Sequence, residues 1–239
     1  MTATKRPIAV AVAVFIAAST NAFAGDFDNV RQLSQDAFLR LSKDVASVAA
    51  PSALSPGTTL DLLGIDVGVE ARVAGVQNES DWRRAGGGST HVVSPRVTIH
   101  KGLLAGFDVG ASLGLAGGSG TQTVGGILRY RLVESGALSP AVTLRLTGNR
   151  EYGGAALTMR SLGADLTIAK PLVFMTPYIG AGTVRTQVAA PGTTLAGVTV
   201  NRARTFLGFD ARLAFANLAV EVERIGEVTT MSGKIGFRF

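Results

Sequence analysis

The sequence predicts an all-β protein: an antiparallel transmembrane β-barrel of about ten strands, preceded by one N-terminal amphipathic helix. Three observations predict it. From Leu60 onward, apolar and polar side chains alternate with period two through ten segments, the spacing at which a strand shows a different chemistry on each face. The connections between those segments alternate long and short, as in an antiparallel barrel with tight turns at one mouth and longer loops at the other. The last segment, Met231 to Phe239 (MSGKIGFRF), places Met231, Gly233, Ile235, Phe237 and Phe239 on one face, with Ser232, Lys234, Gly236 and Arg238 on the other.

At the start of the chain, Lys5 and Arg6 precede an apolar run from Ile8 to Ala18, and Ala22-Phe23-Ala24 supplies a small-x-small cleavage pattern. Residues 1–24 therefore read as a signal peptide. The run is too short to span a bilayer, and nowhere later do ~18 apolar residues follow one another, so a helical membrane protein is excluded. The chain has no cysteine, which rules out disulfides and a diacylglyceryl anchor. The formal charge of +6 includes Lys5 and Arg6. The modest excess left after cleavage, with no basic run interleaved with aromatics, gives no sign of nucleic acid. Five lysines stand against eighteen arginines. The rigid guanidinium fork suits water-poor sites where each cation pairs with a carboxylate, which points to a crowded polar interior.

Residues 25–59 form an N-terminal helix and linker. Within 26–49, Val30, Leu33, Ala37, Phe38, Leu41, Val45 and Val48 recur at helical spacing, with Asp26 or Asp28 as N-cap and Pro51 beyond the end. A Pro- and Gly-bearing link, Ala50 to Thr59, follows. The helix could plug the barrel, lie on the inner leaflet or offer a periplasmic contact surface. The reading adopted places it near the periplasmic mouth.

Residues 60–239 form the barrel. In the first strand Ile65, Val67, Val69, Ala71 and Val73 alternate with Asp66, Gly68, Glu70 and Arg72. The second, about 93–101, sets Val97 and Ile99 against Arg96, Thr98 and His100. The third opposes Phe107, Val109 and Ala111 to Asp108 and Gly110, and the fourth opposes Leu128 and Tyr130 to Arg129 and Arg131. The fifth has Leu144 and Leu146 against Arg145, and the sixth has Leu162, Ala164 and Leu166 against Asp165. Strand seven, 176–186, has no clear phase because Tyr178 and Ile179 cannot both face the same way. The eighth, about 207–215, opposes Leu207 and Phe209 to Asp210 and Arg212, and the ninth opposes Val220 and Val222 to Glu221 and Glu223. A two-residue turn at Ala216-Asn217 would pair Phe215 with Leu218, Leu213 with Val220, Ala211 with Val222 and Arg212 with Glu221. Long links at 76–92, 148–156 and 187–202 then lie at the external mouth, and both termini lie in the periplasm.

Period-two alternation also suits a soluble barrel turned inside out. Exposing an arginine to lipid near midplane costs ~2–4 kcal/mol, so the row Arg72, Arg96, Arg129, Arg131, Arg145, Arg212, Lys234 and Arg238 must face a lumen or water. The leader, the terminal aromatic, the loop alternation and the many glycines of the polar face select the lumen. Facing these cations inside are Asp66, Glu70, Asp108, Asp165, Asp210, Glu221 and Glu223, a near balance that predicts mutual pairing. One contact is specific: Asp66 and Lys234 stand at similar height where the first and last strands close the ring.

The runs GIDVGVEARV, PRVTIHKGL, GFDVGA, TPYIGAG and KIGFRF resemble a family of uncharacterised proteobacterial outer-membrane barrels with a signal peptide and a short N-terminal helical segment. The terminal strand, closing on Phe237 and Phe239, resembles those that the barrel-assembly machinery reads as an insertion signal. The resemblance implies the fold, the cell outer membrane as location, and outer-membrane lipid and lipopolysaccharide as surroundings. It implies no catalytic residue.

The function that follows is a narrow or plugged porin-like channel, passing small solutes or ions if anything, or a structural membrane protein. The alternatives are a lipid A- or lipopolysaccharide-modifying enzyme and a barrel that binds lipopolysaccharide or a partner through its long loops. An enzyme would rely on His91, near Glu79, Asp81, Ser89 and Ser94, but a single loop histidine is more often solvated than catalytic. No metal-ligand spacing, P-loop or dinucleotide fingerprint appears, so neither metal nor cofactor is expected. Trp82 with Arg83 and Arg84, Gly86-Gly87-Gly88 and Gly117-Gly118-Ser119-Gly120 read as exposed loop tips.

Overall fold

Ten antiparallel strands close into a ring in the computed structural model, β1 pairing with β10 and every other strand with its sequence neighbours. They are β1 (Ile65–Gly75), β2 (His91–Gly102), β3 (Phe107–Gly114), β4 (Gln122–Val133), β5 (Ala141–Tyr152), β6 (Thr158–Ala169), β7 (Met175–Ala189), β8 (Val198–Leu213), β9 (Ala216–Ile225) and β10 (Val228–Arg238). Among the described residues two α-helices accompany them, α1 (Gln35–Val48) and α2 (Glu79–Arg84). The structure describes residues 26–52, 54, 58–114, 122–152 and 156–239. The signal peptide and the glycine run 117–120 lie outside them.

The period-two rows behave as their chemistry requires. On β1, Val67, Val69 and Val73 are about two-fifths exposed while Asp66, Glu70 and Arg72 are buried. Leu166, Ile168, Ile179, Leu207 and Leu218 likewise point out of the ring. This is the inverse of a soluble barrel. An apolar exterior around a charged interior is stable only where hydrocarbon replaces water outside, so the fold is a membrane-spanning barrel with no open edge. Seven of the ten strands have 10 to 12 residues, enough to cross a bilayer core. At the mouth where the chain ends, Phe215 stacks on Phe237 with ring centroids 6.0 Å apart, and Phe107 stacks on Tyr130 at 4.4 Å. These pairs begin the aromatic border usual at a membrane interface.

The two mouths differ. One, the turn mouth, carries the β2–β3, β4–β5, β6–β7 and β8–β9 connections and Phe239. The other, the loop mouth, carries the β1–β2, β3–β4, β5–β6, β7–β8 and β9–β10 connections. The last of these is tight, because Ile225 pairs with Val228 and Gly226 takes φ 59°.

The sequence reading puts the N-terminal helix near the turn (periplasmic) mouth, and here the structure corrects it. The helix closes the loop mouth. Its buried face, with Phe38 and Leu41 wholly enclosed, packs with Trp82, Val92, Val188 and Val228 at the loop ends of the strands. The helix is also shorter than 26–49. It is capped by Ser34, whose hydroxyl accepts from the Ala37 amide (3.3 Å), not by Asp26 or Asp28, and Val30–Gln32 form a separate turn. Residues 49–52, 54 and 58–64 then trace the chain through the lumen to the start of β1 at the turn mouth. The two ends of the described chain therefore lie at opposite mouths, not both in the same compartment.

The β8–β9 hairpin is a second correction. Leu213 pairs with Ala216, Arg212 with Asn217 and Ala211 with Leu218, so the turn is Ala214-Phe215. Face parity survives, but the register is four residues away from the expected one. The positive φ of Ala214 (56°) makes the turn, Phe215 joins the aromatic border, and Asn217 goes inside, where its amide donates to Asp210 (3.4 Å). β8 also begins at Val198, nine residues before the expected start, and β7 runs on to Ala189. The phase of β7 is settled: Tyr178 faces in and Ile179 faces out.

The β1–β2 connection is not a bare loop. It contains α2, and Trp82 is 1% exposed, edge-on to Phe27 at 5.0 Å. Gly87 lies so close against Trp82 that a Cβ there would overlap the indole.

Candidate functional site

The lumen is the site, and it is full. Inner-face glycines make the room that its large side chains occupy. A Cβ at Gly208 would stand 2.7 Å from the Tyr178 ring, and one at Gly110 2.5 Å from His100 Nδ1. Among the described residues, seven buried cations (Arg72, Arg96, Arg129, Arg145, Arg204, Lys234 and Arg238) face seven buried acids inside the ring, and every one of these cations has a carboxylate within ion-pair reach.

The pairs form two groups. Toward the turn mouth, Lys234 reaches Asp66 across the β1–β10 closure, the contact expected from the sequence, although the two do not stand at one height: in register Asp66 lies opposite Arg238, and Lys234 opposite Glu70. Arg238 bridges Asp66 (2.8 Å) and Asp210 (3.1 Å), and Arg129 binds Asp108 (2.6 Å). Toward the loop mouth, Arg204 sits between Asp165 (3.0 Å) and Glu223 (2.7 Å), Arg145 shares Asp165 (2.8 Å), Arg72 shares Glu223 (2.8 Å), and Arg96 approaches Glu70 (3.9 Å). The Tyr178 hydroxyl donates to Glu221 (3.0 Å), and the Arg145 guanidinium lies 4.8 Å from the centroid of Phe206. Buried charges this dense are tolerable because each of these cations meets a carboxylate, while the Glu221 carboxylate meets the Tyr178 hydroxyl.

The same side chains hold the segment that threads the lumen. Arg72 donates to the carbonyls of Ala50 and Ser47, Arg204 to Pro51, Asn149 to Ala49 (2.7 Å) and Arg129 to Thr58 (3.4 Å). Asp108 accepts from the Leu60 amide (3.1 Å). Each of these polar contacts is to the backbone of the strap, and the Ala50 side chain packs besides against Val184 and Ile225. At the loop mouth, Arg40 binds Asp81 (2.6 Å), tying α1 to α2, and Asp44 accepts from the Asn78 amide (2.6 Å). Burial raises the Asp44 carboxyl above the ordinary range, and Glu227 adds to this.

Not every expected member of the charged row lies inside. Arg131 is at the turn mouth, paired with Glu134 (3.3 Å), and Arg212 is exposed there beside Asn217. The four-residue register difference separates Arg212 from Glu221. Conversely, Arg204, Tyr178 and Phe206 belong to the interior, which a strand eight begun only at Leu207 and an open phase of strand seven conceal. Carrying the inward phase of β8 back from Asp210 through Gly208 and Phe206 reaches Arg204 at once.

His91 is exposed at the loop end of β2, its backbone exchanging hydrogen bonds with Ser89. His100 is buried toward the other end of the same strand. Among the described residues, no group of three or more His, Asp or Glu is placed to hold a metal ion. A space of about 540 Å³ forms a vestibule at the turn mouth, bordered by Asp61, Arg131, Asp210, Arg212 and Arg238. A space of about 10 Å³ lies midway along the lumen beside Pro51, Glu70 and Arg96.

No family model matches the chain. No curated protein matches it in sequence. Among solved structures it is similar to the translocator domain of the autotransporter NalP from Neisseria meningitidis (12% identity, TM-score 0.43, covering 87% of this chain and 99% of that one). It is also similar to the N-terminal β-barrel domain of Pseudomonas aeruginosa OprF (12% identity, TM-score 0.39, covering 73% and 97%). A third is the KdgM porin solved with disordered oligogalacturonate (9% identity, TM-score 0.39, covering 74% and 99%).

Proposed function

We propose that the chain is an outer-membrane barrel closed by its own N-terminal segment: a plugged, porin-like channel that does not conduct while the strap is in place. The observation that carries this is the set of backbone carbonyls from Ser47 to Pro51 held by Arg72, Arg204 and Asn149 in the middle of the ring. Longer connections usually face the outside, which puts α1 and the loop mouth at the cell surface and the turn mouth with Phe239 in the periplasm. The terminal strand with Phe237 and Phe239 serves assembly, and lipid and lipopolysaccharide surround the exterior.

Planar-bilayer conductance tests the reading. The mature chain is expected to be silent, and the chain lacking residues 25–59 to show discrete openings. Because seven lumen cations face seven acids, those openings should have weak ion selectivity, with a reversal potential near zero in a salt gradient. If the shortened chain inserts and stays silent, the barrel is a structural membrane protein.

A further inference from the structure

We propose that the outer wall of the barrel carries a binding site for the phosphate of a lipid, at the loop-mouth border of the apolar band over β5, β6 and β7. This rests on the reading that the barrel spans a membrane. Arg150 is the cross-strand partner of Arg160, and Arg160 of Gln187, while Arg185 stands beside Leu162 two residues along the same face. All four polar side chains are exposed on the outward phase of their strands.

Like charges directly opposed across a sheet repel. Inside the ring every buried cation has its acid, yet among the described residues no carboxylate lies within ion-pair distance of Arg150, Arg160 or Arg185. The Arg160 Nε donates to Gln187 Oε1 (2.7 Å), and the Arg150 guanidinium lies 5.3 Å from the Tyr152 ring centroid. These contacts orient the two cations and neutralise neither.

A cleft of about 420 Å³ opens over the rim at this point, bounded on its outward side by Arg150, Arg160, Gln187 and Thr199 and on its inward side by Met159, Val188 and Val198. Glu151 lines it as well, from the inward phase of β5. Immediately toward the membrane centre, Leu162 is 68% exposed and Leu166 49%, with Ile179 at 59% on the next strand. A free anion would use only the arginines. An amphiphile uses both, its phosphate between the guanidinium forks and its acyl chains along the leucines, and bidentate phosphate recognition is what arginine does best.

The test uses the full mature chain folded in neutral-detergent micelles, with phosphatidic acid as probe and retained lipid counted by native mass spectrometry. Each surface arginine facing an anionic headgroup strengthens binding about fivefold, so the triple variant Arg150→Gln/Arg160→Gln/Arg185→Gln is expected to bind the probe roughly a hundredfold more weakly. Arg83→Gln/Arg84→Gln on α2 is expected to bind as the parent does. Diacylglycerol, the same tail without phosphate, should not be retained, and inorganic phosphate at equal concentration should not displace the probe.

Equal retention by the triple variant overturns the proposal, and so does displacement by inorganic phosphate, which would make this a site for a free anion. Heat-modifiable migration on gels verifies that each variant is folded. If the triple variant is not, Arg160→Gln alone decides, with a severalfold loss expected and no loss overturning the site. Failure of the parent to insert into neutral-lipid vesicles overturns the membrane reading itself, whereas insertion with unchanged lipid retention by the variants overturns the lipid site alone.

Discussion

Among the described residues Asp108 has Arg129 as its one ion-pair partner, whereas Asp66 has both Lys234 and Arg238. Removing one member of a buried pair leaves an uncompensated charge and costs about 3–5 kcal/mol, while replacing both by apolar groups is often close to neutral. Arg129→Leu is therefore expected to lower stability by about that amount, and Lys234→Met by less. The double variant Asp108→Leu/Arg129→Leu should recover most of the loss. Urea unfolding in lipid vesicles, followed by tryptophan fluorescence, measures all three, and an Arg129→Leu variant as stable as its parent would contradict the pairing. The Asp66–Lys234 contact is legible in the sequence because closing a ring forces the first and last strands together and alternation puts both side chains inside; the register, which sets Lys234 opposite Glu70, is not legible. Arg204 cannot be found while the residues before Leu207 read as loop. The β8–β9 turn escapes the sequence for a related reason: asparagine is a common turn residue, yet Asn217 pairs inside with Asp210 and an alanine takes the positive φ.

At the scale of elements, α1 is legible in its apolar spacing, but its location is not. Its position depends on contacts with strand ends far away in the chain. The length of the link is the available clue. Roughly fifteen residues can extend about 50 Å, more than a bilayer core requires, whereas connections within a compact domain usually need about 4–6. Two changes test how the helix is held. Ser34→Ala removes the N-cap and should cost about 1 kcal/mol, seen as faster hydrogen exchange over Gln35–Leu41 with the barrel amides unchanged. Asp44 gives the docked helix a pH dependence. Its folded-state pKa is raised, chiefly by burial, against hydrogen bonds from Asn78 that lower it. The folded form thus holds the proton more firmly than the unfolded one. Its stabilising effect is complete below the unfolded value and is lost as pH rises through the folded one. Opening of α1, read from exchange corrected for its intrinsic pH dependence, should become easier as pH rises above the ordinary carboxylate range, and Asp44→Asn should flatten that change.

For the molecule as a whole, orientation is the sharpest claim. The chain contains no cysteine, so one introduced at Asp28, near α1, should react with a membrane-impermeant maleimide on intact cells. One at Leu138, fully exposed in the β4–β5 turn, should react only after the outer membrane is permeabilised. The reverse pattern would invert the barrel. The threaded strap also dictates an order of events. A helix as bulky as α1, with Phe38 and Leu41 on its inner face, cannot be pulled through a finished hoop already packed with arginine and tyrosine. The seam between Ile65 and Phe239 must therefore be the last to zip, wrapping the wall around a thread already laid in place, as a sleeve is sewn around an arm.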